Sequence, residues 1–404
     1  MTKDIIPSGW IKVRLGNLLD YEQPYKYEVV SEEYKESGIP VLTAGKSFIL
    51  GYSDEETGIY DKGNVIIFDD FTTDSKYVTF PFKVKSSAMK FLTLKNENEN
   101  SLLLIYNYLQ LFKLREVKEH KRQWLGEFSK YTFYLPSTKK EQEKIASILL
   151  KINTAIEQTQ SLINKYSNIK KGLMHDLLTY GIDEKGQIRS EATHKFKDSI
   201  LGRIPDEWNV IELEKVTKSI TDGDHMAPPK SELGVPFITI TNLTSENTID
   251  FSDTMFVPKK YYDSLDLKRK PQTNDVIYSV VGSIGIPVLV TDNKPFVFQR
   301  HIAILRPNSK ILPRFLFLCM TSSYVFYQAD FAAVGIAQKT ISLSSLRKMK
   351  IKICDEKEQE RILMGLNPID QLIVKERKTL LNLQSQKQGL ISDLLTGKVR
   401  VKGD

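Results

Sequence analysis

Glu141-Gln142-Glu143-Lys144-Ile145 returns 217 residues later as Glu358-Gln359-Glu360-Arg361-Ile362. At the same spacing, Gly172-Leu173 and Asp176-Leu177-Leu178-Thr179 return as Gly389-Leu390 and Asp393-Leu394-Leu395-Thr396. The segment between these markers therefore has one length in both halves. Upstream, Ile6-Pro7-Ser8-Gly9-Trp10 recurs as Ile204-Pro205-Asp206-Glu207-Trp208, 198 residues on, so the blocks before the markers differ by 19 residues. Each half is a block of variable length followed by a segment of fixed length, and an internal repeat of this kind decides the architecture.

The fixed segment reads as a helix. Ile145, Ile152, Tyr166 and Leu173 share one heptad position, flanked by Ile148, Leu149, Ala155, Ile156, Leu162, Ile163 and Ile169. Ile362, Ile369, Leu383 and Leu390, with Leu366, Leu372, Ile373 and Leu380, repeat the phase. An apolar seam sustained over about five heptads is the pattern of a coiled-coil helix, and equal length with equal phase suits two helices that pair with each other. At 1.5 Å per residue such a helix is roughly 55 Å long. Gly365 and Pro368 predict an irregular or kinked first turn or two in the second copy.

The blocks before the helices read as α/β. Val65–Phe68, Thr79–Phe82, Ile238–Ile240, Val276–Tyr278 and Val297–Phe298 are short β-branched or aromatic runs bounded by turn residues, and Ser101–Leu114 and Pro313–Tyr327 look helical. The predicted organisation is a first block over 1–140, a helix over 141–180, a polar linker over 181–203, a second block over 204–357, a helix over 358–397 and a tail over 398–404. The fold class is α+β, two α/β domains each followed by a long helix, with the two helices paired as a coiled coil.

Composition narrows the function. The 404 residues carry 41% hydrophobic and 26% charged side chains and a net charge of +7, which permits a polyanion partner without demanding one. Cys319 and Cys354 stand far apart, which argues against a disulfide framework or a zinc site and for a reducing, cytoplasmic setting. The amino terminus shows no apolar signal region, and the most apolar stretch, Leu102–Phe112, is far short of the ~20 residues of a membrane span. No Asn/Asp-Pro-Pro-Tyr/Phe methyltransferase motif is present. Gly282-Ser283-Ile284-Gly285 is no dinucleotide fingerprint, and Gly181…Gly186-Gln187 has Gln where a phosphate loop needs Lys. Pro205-Asp206 with Glu212-Leu213-Glu214-Lys215 lacks the acidic residue of a nuclease set two before the lysine. No catalytic residue and no metal ligand is assigned.

The doubled Ile-Pro-x-x-Trp openings, the doubled Glu-Gln-Glu-Lys/Arg-Ile helix starts and the doubled Asp-Leu-Leu-Thr helix ends resemble the specificity subunits of type I restriction-modification enzymes. Val65–Leu94, with Phe68-Asp69-Asp70-Phe71-Thr72-Thr73 and Phe80-Pro81-Phe82, is similar to a common recognition-domain stretch of that family. The resemblance implies two target recognition domains that each read half of a split site on double-stranded DNA, and helices that pair antiparallel and set the spacer. It implies two methyltransferase subunits docked on the helices and two restriction subunits, with S-adenosylmethionine, ATP and Mg in those partners and no cofactor in this chain. Two departures stand out: Ile353-Cys354-Asp355 replaces Leu135-Pro136-Ser137 at the second helix entry, and Pro368 lies inside the second helix.

Base reading needs paired donors and acceptors, and phosphate contacts need cations and hydroxyls. In the first domain the DNA-binding residues expected on this ground are Lys46 and Ser47 in a turn, Thr72, Thr73, Ser75 and Lys76 in a polar loop, and Lys121, Arg122 and Gln123 closing a basic run that begins at Lys113. In the second they are His225, Lys230, Arg300, Gln338 and Lys339, with Gln338 taken as the counterpart of Gln123. The plainer readings are a solvated face for Lys113–Arg122, surface charge for Lys259-Lys260 and Lys268-Arg269-Lys270, core for Trp124, turn or core histidines for His225 and His301, and a loop-fixing role for the two glutamines. The rival functions are a coiled-coil scaffold without DNA readout, and an enzyme whose active site has no familiar motif.

Overall fold

The computed structural model describes residues 7–43, 47–112, 123–223, 225, 228–335 and 338–401. The chain forms two compact units, Met1–Leu162 with Glu376–Asp404, and Ile163–Lys375.

In the first unit, β1 (Trp10–Arg14) pairs antiparallel with β9 (Thr132–Pro136). A helical turn, α1 (Leu15–Leu18), leads to β2 (Leu19–Glu22). β2, β8 (Met89–Leu94), β5 (Val65–Asp69) and β6 (Ser75–Val78) form an antiparallel sheet in that order, and β4 (Ile49–Ser53), β3 (Ile39–Leu42) and β7 (Lys83–Val84) form a smaller one. Val65 through Phe68 are all fully buried, as an uninterrupted apolar run in a central strand requires. The run Thr79–Phe82 is not a strand. Pro81 has no N–H for a ladder, and only Phe82 bridges, to Tyr60. Helix α2 (Leu102–Phe112) and the turn α3 (Gln123–Gly126) cover the sheet, putting Leu104, Ile105, Tyr108 and Trp124 in one core with Phe68 and Leu92.

The second unit repeats this plan. The segment after Tyr180 is folded rather than loose: Ile182 pairs with Ile188, and β10 (Phe196–Lys197) pairs with β11 (Ile204–Pro205). β12 (Asn209–Glu212) pairs with β20 (Lys350–Ile353), as β1 does with β9. The turn α5 (Leu213–Val216) precedes β13 (Thr217–Asp222). β13, β19 (Ile302–Pro307), β16 (Val276–Ser279) and β17 (Pro287–Leu289) repeat the larger sheet, and β15 (Met255–Val257), β14 (Val235–Ile238) and β18 (Val297–Phe298) repeat the smaller. A short helix α6 (Lys259–Ser264) follows β15. The apolar stretch from Pro313 makes two helices instead of one, α7 (Pro313–Met320) and α8 (Ser323–Ala332). Ser322 breaks the run because its hydroxyl accepts the Val325 N–H and caps a new start. A last short helix, α9 (Leu343–Lys348), leads into β20.

The long helices are α4 (Lys139–Tyr180) and α10 (Glu356–Leu394). Each begins in one unit and ends in the other. In the second unit Leu173 and Leu177 of α4 share a core with Ile362, Leu366, Ile369 and Ile373 of α10. The pairing is antiparallel, since Lys170 bridges to Asp370 at 2.7 Å while Leu177 lies against Gly365. In the first unit Leu394 and Leu395 join Ile145, Ala146 and Leu149 in the core.

α10 continues as a helix through Pro368. Proline withdraws the N–H that would reach the Met364 carbonyl. Met364 and Pro368 both lie on an exposed flank, where water can take that carbonyl.

The repeated Glu-Gln pair is an anchor for each helix. Gln142 accepts the Ser101 N–H at 2.9 Å and donates to the Pro136 carbonyl at 2.9 Å. Gln359 repeats this with the Leu312 N–H at 2.8 Å and the Cys354 carbonyl at 3.0 Å. Glu141 takes Arg400 in a fork of two 2.7 Å bonds. Glu358 takes Arg189, the Trp208 indole N–H at 3.0 Å and the Ile182 N–H at 3.0 Å. The second helix entry does without the proline turn because Asp355 caps it, its carboxylate accepting the Glu358 N–H at 2.9 Å. Among the described residues no helix is long and apolar enough to cross a membrane.

Candidate nucleic-acid interface

The larger sheet of each domain has two unlike ends. In the second unit β13 and β19 run antiparallel from Thr217 beside Pro307 to Asp222 beside Ala303. The Thr217 end belongs to the long helix: Asn308 donates its N–H to the Val216 carbonyl, and Gln359 donates to the Lys310 carbonyl at 3.2 Å. The Asp222 end is built of turns. The β16–β17 turn holds Gly282 and Gly285 at φ 75° and 90°, a left-handed backbone that glycine adopts without strain. Gly282 donates to the Lys339 carbonyl at 2.8 Å, and Val280 donates to the His301 carbonyl at 2.9 Å. Gly223 leaves β13 so close to the β18–β19 turn that a Cβ there would stand 2.2 Å from the Phe298 carbonyl oxygen.

This end gathers several of the expected residues. Arg300, Gln338 and Lys339 are exposed on turns that hydrogen-bond to one another's neighbours. His225 is exposed and meets the Asp222 carboxylate at 2.7 Å. Lys339 is ion-paired with Asp330. His301 is half-buried, and its pKa is lowered by burial and by the adjacent Arg300 charge. Lys230 stands apart from the group. Its neighbour Ser231 bridges to Phe256 of β15, at the edge of the smaller sheet. Arg300 with its fork of donors and Gln338 with a paired donor and acceptor are the groups that base edges require.

In the first unit the same sheet end carries the β5–β6 turn. Asp69 shapes it, its carboxylate accepting the Phe71 N–H at 2.9 Å and the Thr72 N–H at 2.8 Å. Thr72 and Phe71 are exposed on it. Thr73 and Ser75 are not: Thr73 takes φ 60° and turns inward, and the Ser75 hydroxyl accepts the Gln110 amide at 2.7 Å. They fix the turn's shape rather than its outer surface. Lys76 is half-buried with its amine over the Phe48 ring, next to exposed Ser47. Lys46, Lys121 and Arg122 lie outside the described residues, as does the basic run from Lys113.

Gln123 is corrected on two counts. It is buried, and its N–H donates to the Asp70 carbonyl at 3.0 Å beside the fully buried Trp124, so both belong to the core. Asp70 itself takes the Trp124 N–H at 2.8 Å and pairs with buried Lys90 at 3.4 Å. The matching bond in the second unit is Ile341 N–H to the Val280 carbonyl at 2.8 Å. Gln123 therefore corresponds to Ile341, and Gln338 has no glutamine counterpart at that position. Sequence reading also passed over Ser283, Tyr327 and Phe331, all near this end; the doubled glycine around Ser283 was the available signal.

Among the described residues no group of three or more His, Cys, Asp or Glu side chains is placed to hold a metal.

Residues 7–165 and 205–383 each match the family model described as type I restriction modification DNA specificity domain. A type I restriction enzyme specificity subunit of Escherichia coli is 28% identical over 370 residues, covering 89% of this chain and 86% of that protein. One of Methanocaldococcus jannaschii is 27% identical over 422 aligned residues, covering 98% of this chain and 94% of that protein. In structure the chain is similar to the S subunit of a type I restriction-modification system from M. genitalium, with TM-score 0.62 at 15% identity and 98% of each chain covered.

Proposed function

The chain belongs to the type I restriction modification DNA specificity family, and on that premise we propose that it is the DNA-reading, non-catalytic subunit of such an enzyme. Each domain reads one half of a bipartite site on double-stranded DNA with the turns at the sheet end away from its long helix. The paired helices set the unread spacer and dock two methyltransferase subunits. Two restriction subunits complete the assembly, and S-adenosylmethionine, ATP and Mg belong to those partners. On the first domain Ser47, Thr72 and Lys76 are the described side chains free to reach a duplex, joined by Lys46, Lys121 and Arg122. On the second they are Arg300 and Gln338, with His225 and Lys339 exposed beside the carboxylates they pair with and Lys230 reaching a flanking phosphate.

The observation that carries this reading is the duplicated polarity of the domains. In each, the long helix is tied by the equivalent glutamine to the segment that leaves one end of the larger sheet, and the other end presents exposed polar turns. Those turns differ between the two domains while the anchors are alike, as two different half-sites on one frame require.

The test separates spacer from sequence. Inserting four residues after Lys165 adds about 6 Å of helix, roughly two base-pair steps. It should change the spacer of the methylated site and leave both half-sites intact. Exchanging residues 11–135 for those of another family member should change one half-site and leave the spacer alone. Sequencing of methylated adenines reads both results. An insertion that altered bases within a half-site at constant spacer would overturn the proposal.

A further inference from the structure

Helix α8 is pinned on its inner side. Val325 and Ala329 are buried, and Phe326 packs on the β16–β17 turn so tightly that a Cβ on Gly285 would stand 2.7 Å from its ring. Its outer side carries Tyr327 at 71% exposure and Phe331 at 94%, one helical turn apart, followed by Val334 at 76%. Phe331 is the most exposed large apolar side chain among the described residues. Scattered exposed apolar residues are ordinary on protein surfaces. Three within eight residues, two on a helix buried from beneath and one just past its end, form a patch.

The patch is continuous with the turns at the reading end of the second domain. Val334 and Thr340 exchange two backbone hydrogen bonds of 2.9 Å, which closes the hairpin that carries Gln338 and Lys339. Lys339 is ion-paired with Asp330, the residue just before Phe331. The Lys339 carbonyl accepts the Gly282 N–H, tying the hairpin to the turn that presents Ser283. The acidic group next to Phe331 on the helix is thus already matched by a lysine. Gln338 and Ser283 supply polar edges next to a rigid apolar tip.

We infer that Phe331, with exposed Tyr327 one helical turn before it, is a specificity-determining contact of the second domain: an apolar wedge pressed against a base step or a thymine methyl of the duplex. The inference rests on the DNA-reading function proposed above. Apolar contact distinguishes the thymine methyl from the other major-groove edges. Wedges of Phe or Leu partly unstack a base step and so select steps that deform easily. Either use needs an exposed ring on a well-seated stretch of backbone, and Phe331 is 94% exposed on a helix whose inner side is buried.

The experiment is Phe331→Ala in the assembled methyltransferase, with selection of methylated sites from a randomised DNA library. Because the ring is almost free of protein contacts, its removal should leave folding intact, and this is checked by an unchanged melting transition. The expected result is a loss of discrimination of about tenfold at one or two base pairs of the second domain's half-site, the range of a single mismatched pair. The other half-site and the spacer should be unchanged. Unaltered preference at every position would overturn the inference. So would failure of Phe331→Ala to assemble with methyltransferase subunits, which would make the patch a protein contact. A parallel exchange of residues 205–353 tests the underlying reading separately. If that exchange left both half-sites unchanged, the DNA-reading function itself would fail, whatever Phe331 does.

Discussion

Glu358→Ala should cost far more than its repeat partner, Glu141→Ala. Glu358 is 1% exposed, and its carboxylate is the acceptor for the Arg189 guanidinium, the Trp208 indole and the Ile182 N–H. The Arg189 side chain is only 8% exposed, so without the carboxylate its charge is left buried and unmatched, at a cost of about 3–5 kcal/mol. Two further N–H groups lose their acceptor. Glu141 is also buried, but Arg400 is 42% exposed and can turn to water, which reduces the expected cost to about 1 kcal/mol. The two units need not unfold together, so a single global transition is the wrong measure. Hydrogen exchange read on peptides spanning β12 and β20 isolates the second unit. A loss of about 4 kcal/mol lowers protection there roughly 10³-fold, since each 1.4 kcal/mol is tenfold. Glu358→Gln, which keeps an acceptor for the neutral donors, should fall between wild type and Glu358→Ala. Equal losses for Glu358→Ala and Glu141→Ala would refute the idea that burial of the arginine sets the difference.

Two further outcomes follow from local features. Asp355→Ala removes the cap of α10 and should destabilise the second unit by about 1 kcal/mol, while Asp355→Asn, which keeps a capping oxygen, should lose little; urea titration of the two variants compares them. Glu55 is held below its ordinary value of 4.5, first by the hydrogen bond from buried Lys83, so its contribution is present above that pH and is lost as pH falls below it. Glu55→Gln should therefore flatten the acid limb of first-unit stability, and an unchanged slope would count against the pair.

The sequence carried the architecture because its strongest signals are periodic. A heptad seam with one phase in two copies needs no tertiary information, and the structure has both helices and their antiparallel pairing. The identical Glu-Gln starts were legible as helix beginnings, but not as anchors. Their partners, Arg189 and Arg400, lie on segments that follow the opposite helix and show no spacing rule. The polar turns were harder. Thr72, Thr73 and Ser75 look alike in a string of hydroxyls, yet the left-handed backbone at Thr73 and the Gln110 amide turn two of the three inward. Gln123 and Gln338 seemed equivalent because each precedes an apolar residue by five. Matching backbone hydrogen bonds make Ile341, not Gln338, the equivalent of Gln123 in the repeat. Pro368 does not end α10, because a solvent-facing carbonyl tolerates the loss of one helical donor.

The exchange of helix ends between the units also dictates an order of completion during synthesis. Residues 163–375 of the second unit are contiguous, so every partner in its core has left the ribosome once Lys375 has emerged. The first unit begins earlier but finishes last. Leu394 and Leu395 fill its core, and the Tyr108 hydroxyl donates to the Leu395 carbonyl at 3.0 Å, across 287 residues of sequence. Until the final turns of α10 arrive, the first domain carries an open apolar face beside Ile145 and Leu149. Nascent-chain protection is therefore needed longest by the domain translated first. A premature stop after Lys375 would strike the amino-terminal domain, far from the lesion in sequence, and spare the one nearest to it.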